Sequence, residues 1–200
     1  MPWVKTIGLV VIAAVILAGA YFLLFSQSEF ESKQMELESI WASKGINISS
    51  VDFDEAPEIA SLNKDDLGFL KEKISSFESR LGNSADSLAL KKLSQIHINI
   101  LIISEKMLSL AEKVNSFEFN TTNGTTLCQK SLGDFDSITR IGNEIILLSN
   151  ENNDLIKNYS QQYSATHSIG VSNLRIETTV FETAIVQMQG SRKEFEVLCG

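Results

Sequence analysis

Proline occurs twice in this 200-residue chain, cysteine twice, histidine twice and glycine eleven times. Each shortage closes off a class of structure. So little proline and glycine argues against collagen-like, elastic or turn-dense all-β architectures. Two cysteines are too few for a disulfide-rich miniprotein or a four-thiolate zinc site. Basic charge is short as well: 17 Lys and Arg stand against 25 Asp and Glu, a net charge of −8. A chain with a pI near 4.8 lacks the basic surface that nucleic acid requires. Catalytic signatures are missing too, with no HExxH, Walker A loop, GxGxxG or GxSxG in the sequence. What is present is apolar: 44% of residues, enough for one domain with an appendage or two small domains. A mean hydropathy of +0.04 is high for so acidic a chain, so the apolar residues must be concentrated.

They are concentrated at the N-terminus. Ile7 to Phe25 reads IGLVVIAAVILAGAYFLLF, with no charged side chain. As a helix this run would rise roughly 28 Å, close to the hydrocarbon thickness of a bilayer. Lys5 precedes it and Glu29 and Glu31 follow it, so the remainder of the chain is expected outside the cytoplasm. The alternative is a cleaved signal peptide, with Ala18-Gly19-Ala20 as the small-residue site. Cleavage after Ala20 would release a secreted protein but leave Tyr-Phe-Leu-Leu-Phe as an exposed apolar terminus, which favours the uncleaved anchor. Residues 26–200 then keep 16 basic against 25 acidic side chains, or −9.

Three segments are expected: 1–25 as a short cytoplasmic start and signal-anchor, 26–63 as a juxtamembrane stretch and acidic linker, and 64–200 as a helical bundle. Phe30, Leu37, Ile40 and Trp41 continue a helix to Lys44, and Gly45 supplies its stop. The linker breaks the pattern with Pro57, while Val51, Phe53 and Ile59 are placed to pin it to the bundle. Leu67, Leu70, Ile74, Phe77 and Leu81 then recur at helical spacing, and Gly82-Asn83-Ser84 marks a stop and a new N-cap. A second stripe runs from Ala89 to Phe117, followed by a break over Asn120–Thr126. A third runs from Ile138 to Tyr159. A fourth runs from Val171 to Cys199, interrupted by Thr178 and Arg192. Gln95 to Ile103 alternates like a strand but lies within the second stripe, so it is read as helix. The three later helices, each expected near 33–36 residues, predict an all-α, elongated antiparallel three- to four-helix bundle or coiled coil behind a transmembrane helix.

The cysteines test that topology. Cys128 opens the third long helix and Cys199 closes the fourth, each 35–36 residues from a turn near Tyr163-Ser164. An antiparallel hairpin brings those ends together, and an oxidising compartment would join them as a disulfide. Two free thiols or an intermolecular bond are the alternatives. His97 lies in the isoleucine run and reads as a side chain at the core edge, and His167 stands alone in the turn. Ser61-Leu-Asn-Lys64 matches SxxK without companion motifs, and Asp52, Asp54, Glu55 and Glu58 lack the spacing of a calcium loop. Asn152 and Thr178 interrupt the apolar stripes, either pairing across the hairpin or marking where the bundle tapers. Sequons at Asn47, Asn120, Asn123 and Asn158 are possible glycosylation sites, although 13 Asn among 35 Ser and Thr make that number unremarkable.

These features predict no catalytic or metal site and no cofactor. The expected role is a membrane-anchored structural or interaction protein, held in the membrane by Ile7–Phe25, with a protein partner or self-association and no nucleic acid. The alternative is a sensor-like ectodomain that binds a ligand between its helices and signals through a separate membrane partner.

Overall fold

The computed structural model describes residues 29–49, 59, 61–117, 124–163 and 171–199, without the side chains of 124–127 and 199. Among these the chain is all-α, with five helices and no strand. Helix α1 spans Glu29–Ala42, α2 Lys64–Ser79, α3 Ala85–Asn115, α4 Gly124–Tyr163 and α5 Thr179–Cys199. A single 3₁₀ turn, Ser172–Leu174, precedes α5.

Local signals account for the ends of the first helices. Glu29 and Glu31 sit in the first turn of α1, where carboxylates complement the helix dipole. At its other end Gly45 takes φ +76°, the left-handed conformation that glycine adopts without strain. Gly45 N–H then donates to Ala42 O (2.9 Å) and Ile46 N–H to Trp41 O (3.2 Å), the two bonds of a Schellman cap. Asn63 caps α2 by accepting from Asp66 N–H at 2.9 Å, and Ser84 caps α3 by accepting from Ser87 N–H at 3.2 Å.

Packing follows the expected stripes. Leu67, Leu70, Ile74 and Phe77 bury one face of α2 against Leu93, Ile96 and Ile100 of α3. Phe30, Leu37 and Trp41 close this cluster from α1, and Ile156, Tyr159 and Tyr163 close it from the end of α4. Lys64–Glu112 and Lys71–Glu105 pairs run α2 antiparallel to α3. Lys106–Glu144 and Lys113–Asp134 do the same for α3 and α4. Arg192, paired with Asp136, and Ile185, seated against Gly142, show that α5 runs antiparallel to α4. A smaller cluster of Ile103, Ile141, Ile145 and Ile176 continues the core along α4. Beyond it Phe135 joins Phe117 and Phe195, ring centroids 4.9 and 5.8 Å away.

One expectation is met and three are corrected. The segment Gln95 to Ile103 is helix throughout, as its place in the longer stripe required. The break at Asn120–Thr126 is shorter than expected, because α4 already begins at Gly124. The three long helices are unequal, with 31, 40 and 21 residues in α3, α4 and α5. The fourth stripe is α-helical only from Thr179, and residues 171–178 form a strap, with one 3₁₀ turn, in which Val171, Leu174 and Ile176 are buried. The cause is visible at Ile176: its N–H donates to Asn153 Oδ1 (3.0 Å) and its carbonyl accepts from Asn153 Nδ2 (2.8 Å). A backbone unit with both groups so engaged cannot join a helical ladder. In the linker, Ile59 is buried as expected, joined by Ile46, Ile48 and Leu62, whereas Val51 and Phe53 lie outside the described residues. No helix among the described residues is long and apolar enough to cross a membrane, and Ile7–Phe25 lies outside them.

Candidate functional site

Trp41 and His97 form the most chemically distinctive contact of the interior. Trp41 closes α1 and His97 sits in the first half of α3, 0% and 3% exposed. Trp41 Nε1–H donates to His97 Nδ1 at 3.2 Å, and the rings meet edge to face with centroids 5.7 Å apart. An acceptor at Nδ1 places the single proton of the neutral ring on Nε2. Burial lowers the imidazole pKa from 6.5 to about 3. A ring held neutral in this way ties α1 to α3 and cannot shuttle protons near neutrality. It lies deeper than the core edge expected from sequence.

Cys128 is half-buried on α4 and disulfide-bonded, and no described cysteine is free. The Cys199 side chain lies outside the described residues, so the bonded pair is not itself described. The backbone register is: Asp136 is eight residues past Cys128 and Arg192 seven before Cys199. Since those two residues pair, the two cysteine positions fall nearly level on α4 and α5.

The remaining sequence candidates scatter. Asn47 is exposed in the turn after α1 and Asn158 is exposed on α4, while Asn120, Asn123 and His167 lie outside the described residues. So do Asp52, Asp54, Glu55 and Glu58. Lys64 of the SxxK match pairs with Glu112 at 2.6 Å, an exposed ion pair. Thr178 hydrogen-bonds Glu182 (2.9 Å), one turn into α5, and does not meet Asn152. Asn153, which the stripe analysis passed over, makes the cross-hairpin tie. Among the described residues no three His, Cys, Asp or Glu side chains converge to hold a metal ion.

Two surface grooves are described. One, of about 400 Å³, follows a face of α4 along Asp136, Thr139, Arg140, Asn143, Glu144 and Leu147. The other, of about 440 Å³, lies beside Met35, Glu38 and Ala42 of α1 and reaches Asn47. Both are open to solvent and lack the enclosure typical of small-molecule sites. The charges along the first are spent locally, since Lys106 and Arg140 hold the Glu144 carboxyl below its ordinary pKa. Helix α5 packs one face on α4 and leaves Val180, Val186, Val197 and Leu198 68–81% exposed. No protein-family model, curated protein or solved structure matches this chain.

Proposed function

We propose that the chain is a membrane-anchored extracytoplasmic structural or interaction protein, with its helical bundle as a spacer or docking surface for a partner in the cell envelope. The observation that carries this reading is α4. It runs unbroken for 40 residues, about 60 Å, and is braced by α3 along one flank and α5 along another. A braced rod of that length holds groups apart.

Three features support the reading. The apolar run Ile7–Phe25 has the length of a membrane span, with Lys5 before it and acidic residues after it. The disulfide-bonded Cys128 suits an oxidising compartment, and Cys199, the other cysteine of the chain, is its proposed partner. The exposed valines and leucine of α5 offer apolar surface to a partner or a second copy.

Membrane fractionation of the full chain tests this directly. The protein should stay with membranes through an alkaline carbonate wash, and external protease should digest the bundle in intact cells. Photo-crosslinkers at Val186 and Val197 should then yield a defined adduct that one at exposed Glu72 of α2 does not. Release by carbonate, or digestion only after lysis, would overturn the anchored topology. Identical adducts from all three positions would overturn the interaction surface.

A further inference from the structure

The apolar interior is interrupted between its two clusters. The larger ends at Leu101 on α3 and Ile156 on α4, and the smaller resumes at Ile103 and Ile145. Between those limits on α4 stand Ser149 and Asn152, both 0% exposed. Three residues apart on a helix, they share one face about a turn from each other. Neither Ser149 Oγ nor either polar atom of the Asn152 amide has a hydrogen-bond partner among the described residues.

Other buried side-chain atoms also lack a partner, Ser94 Oγ on α3 and Thr139 Oγ1 and Tyr159 Oη on α4 among them, but Ser149 and Asn152 gather three such atoms on adjacent turns of one face. Ser104, also buried, donates to Ile100 O at 2.9 Å, and Asn153 commits both ends of its amide to Ile176. An unsatisfied buried polar group loses its bonds to water without replacing them, and native interiors contain few of them. An aliphatic side chain at position 152 would avoid that cost and continue the isoleucine stripe. The three unpartnered groups are neutral and together offer both donors and acceptors. A water molecule buried in a protein makes about three hydrogen bonds, donating and accepting.

We infer that Ser149 and Asn152 form an internal hydration site between the two apolar clusters, in which ordered water bonds the Asn152 amide and the Ser149 hydroxyl. The polar layer then separates two dry clusters and ties the register of α4 to the water it holds. A slide of α4 along α3 would carry the amide onto isoleucine and strip that water.

The test uses the full-length chain in detergent micelles, with isotope-labelled asparagine and water-to-amide Overhauser measurements. The Asn152 side-chain amide, identified by its loss in Asn152→Leu, should show a water cross-peak with the sign of a molecule that tumbles with the protein. Ser149→Ala should weaken that cross-peak, because the water loses one of the about three bonds that hold it. An Asn152 amide protected from exchange but without the cross-peak would overturn the proposal, since the layer would then be dry. So would an amide that exchanges as fast as that of exposed Asn150. An unchanged cross-peak in Ser149→Ala would overturn the shared site.

Discussion

Ile185 occupies the space in which a side chain at Gly142 would begin. A Cβ built at Gly142 overlaps Ile185 Cδ1 and lies 2.9 Å from its Cγ1, so α5 is seated on α4 at that glycine. Gly142→Ala gains up to about 1 kcal/mol of helix propensity, but Cγ1 can withdraw only by changing χ1 or lifting the helix, at about 1–3 kcal/mol. The expected net effect is a loss of about 1 kcal/mol. Gly133, on the same helix, has nothing within 4 Å of its built Cβ, so Gly133→Ala should gain roughly 0.5–1 kcal/mol. Urea titrations of both variants check the pair. If Gly142→Ala stabilises as much as Gly133→Ala, the close approach is absent. In the Gly142→Ala background, Ile185→Val should cost less than in the parent chain.

Acid should unfold the protein earlier than its carboxylates alone would require. His97 binds a proton near pH 6.5 when unfolded but only near pH 3 when folded. The unfolded state therefore holds more protons across that window, and stability falls as pH drops through it by up to about 1.4 kcal/mol per unit. Between pH 6.5 and 4.5 the loss should reach roughly 2–3 kcal/mol. Asp66, held low by Lys44, and Glu144, held low by Lys106 and Arg140, act further down. Their stabilisation is present above the unfolded carboxylate pKa and is lost as pH falls through the lower folded value. Denaturant midpoints at pH 7, 5.5 and 4.5 read the slope. In His97→Gln the drop above pH 4.5 should disappear, and an unchanged slope would show that His97 is not its source.

The helices were legible in sequence wherever an apolar stripe met a capping signal. Gly45 and Ser84 are each local, and each ends or begins a helix near the expected place. The fourth stripe misled because Val171, Leu174 and Ile176 are buried from a strap, and burial alone does not say helix. What breaks the helix there is the side chain of Asn153, 23 residues away in sequence. The Trp41–His97 bond joins residues 56 apart, and nothing in the isoleucine run around His97 points to its partner. Asn152 stood out as a polar residue in the stripe, but its lack of a partner depends on what faces it. Gly142 gave no signal either, since a helical glycine looks alike in sequence whether or not a neighbour fills its space.

The two cysteines should close a loop of about 70 residues. The register set by Asp136 and Arg192 brings positions 128 and 199 nearly level, and Cys128 is disulfide-bonded. Cross-linking a loop of that size restricts the unfolded chain by roughly 4 kcal/mol in the entropic view. Non-reducing peptide mapping of the mature protein should recover a single Cys128–Cys199 peptide pair. Reduction should lower the melting temperature, and Cys128→Ser with Cys199→Ser should lower it equally. Two alkylatable thiols in the unreduced protein would remove the pairing, and a mass shift to a dimer would move it between chains.

The strap ahead of α5 should depend on a single side chain. Asn153 satisfies both backbone groups of Ile176 (2.8 and 3.0 Å), and Ile176 is 2% exposed. Asn153→Ala leaves a buried N–H and C=O without partners, at about 1–3 kcal/mol for each group that water does not reach. The expected loss is about 2–4 kcal/mol, large for a half-buried polar residue. Asn153→Asp keeps the acceptor for Ile176 N–H but loses the donor to Ile176 O, so near neutral pH it should fall between the parent and the alanine variant. Hydrogen exchange localises the effect: amides of 174–178 should lose protection in Asn153→Ala, while those of α2 keep theirs relative to global stability. Uniform loss across the chain would mean that the strap unfolds only with the whole bundle. No loss at all would mean that the Asn153–Ile176 bonds do not hold it.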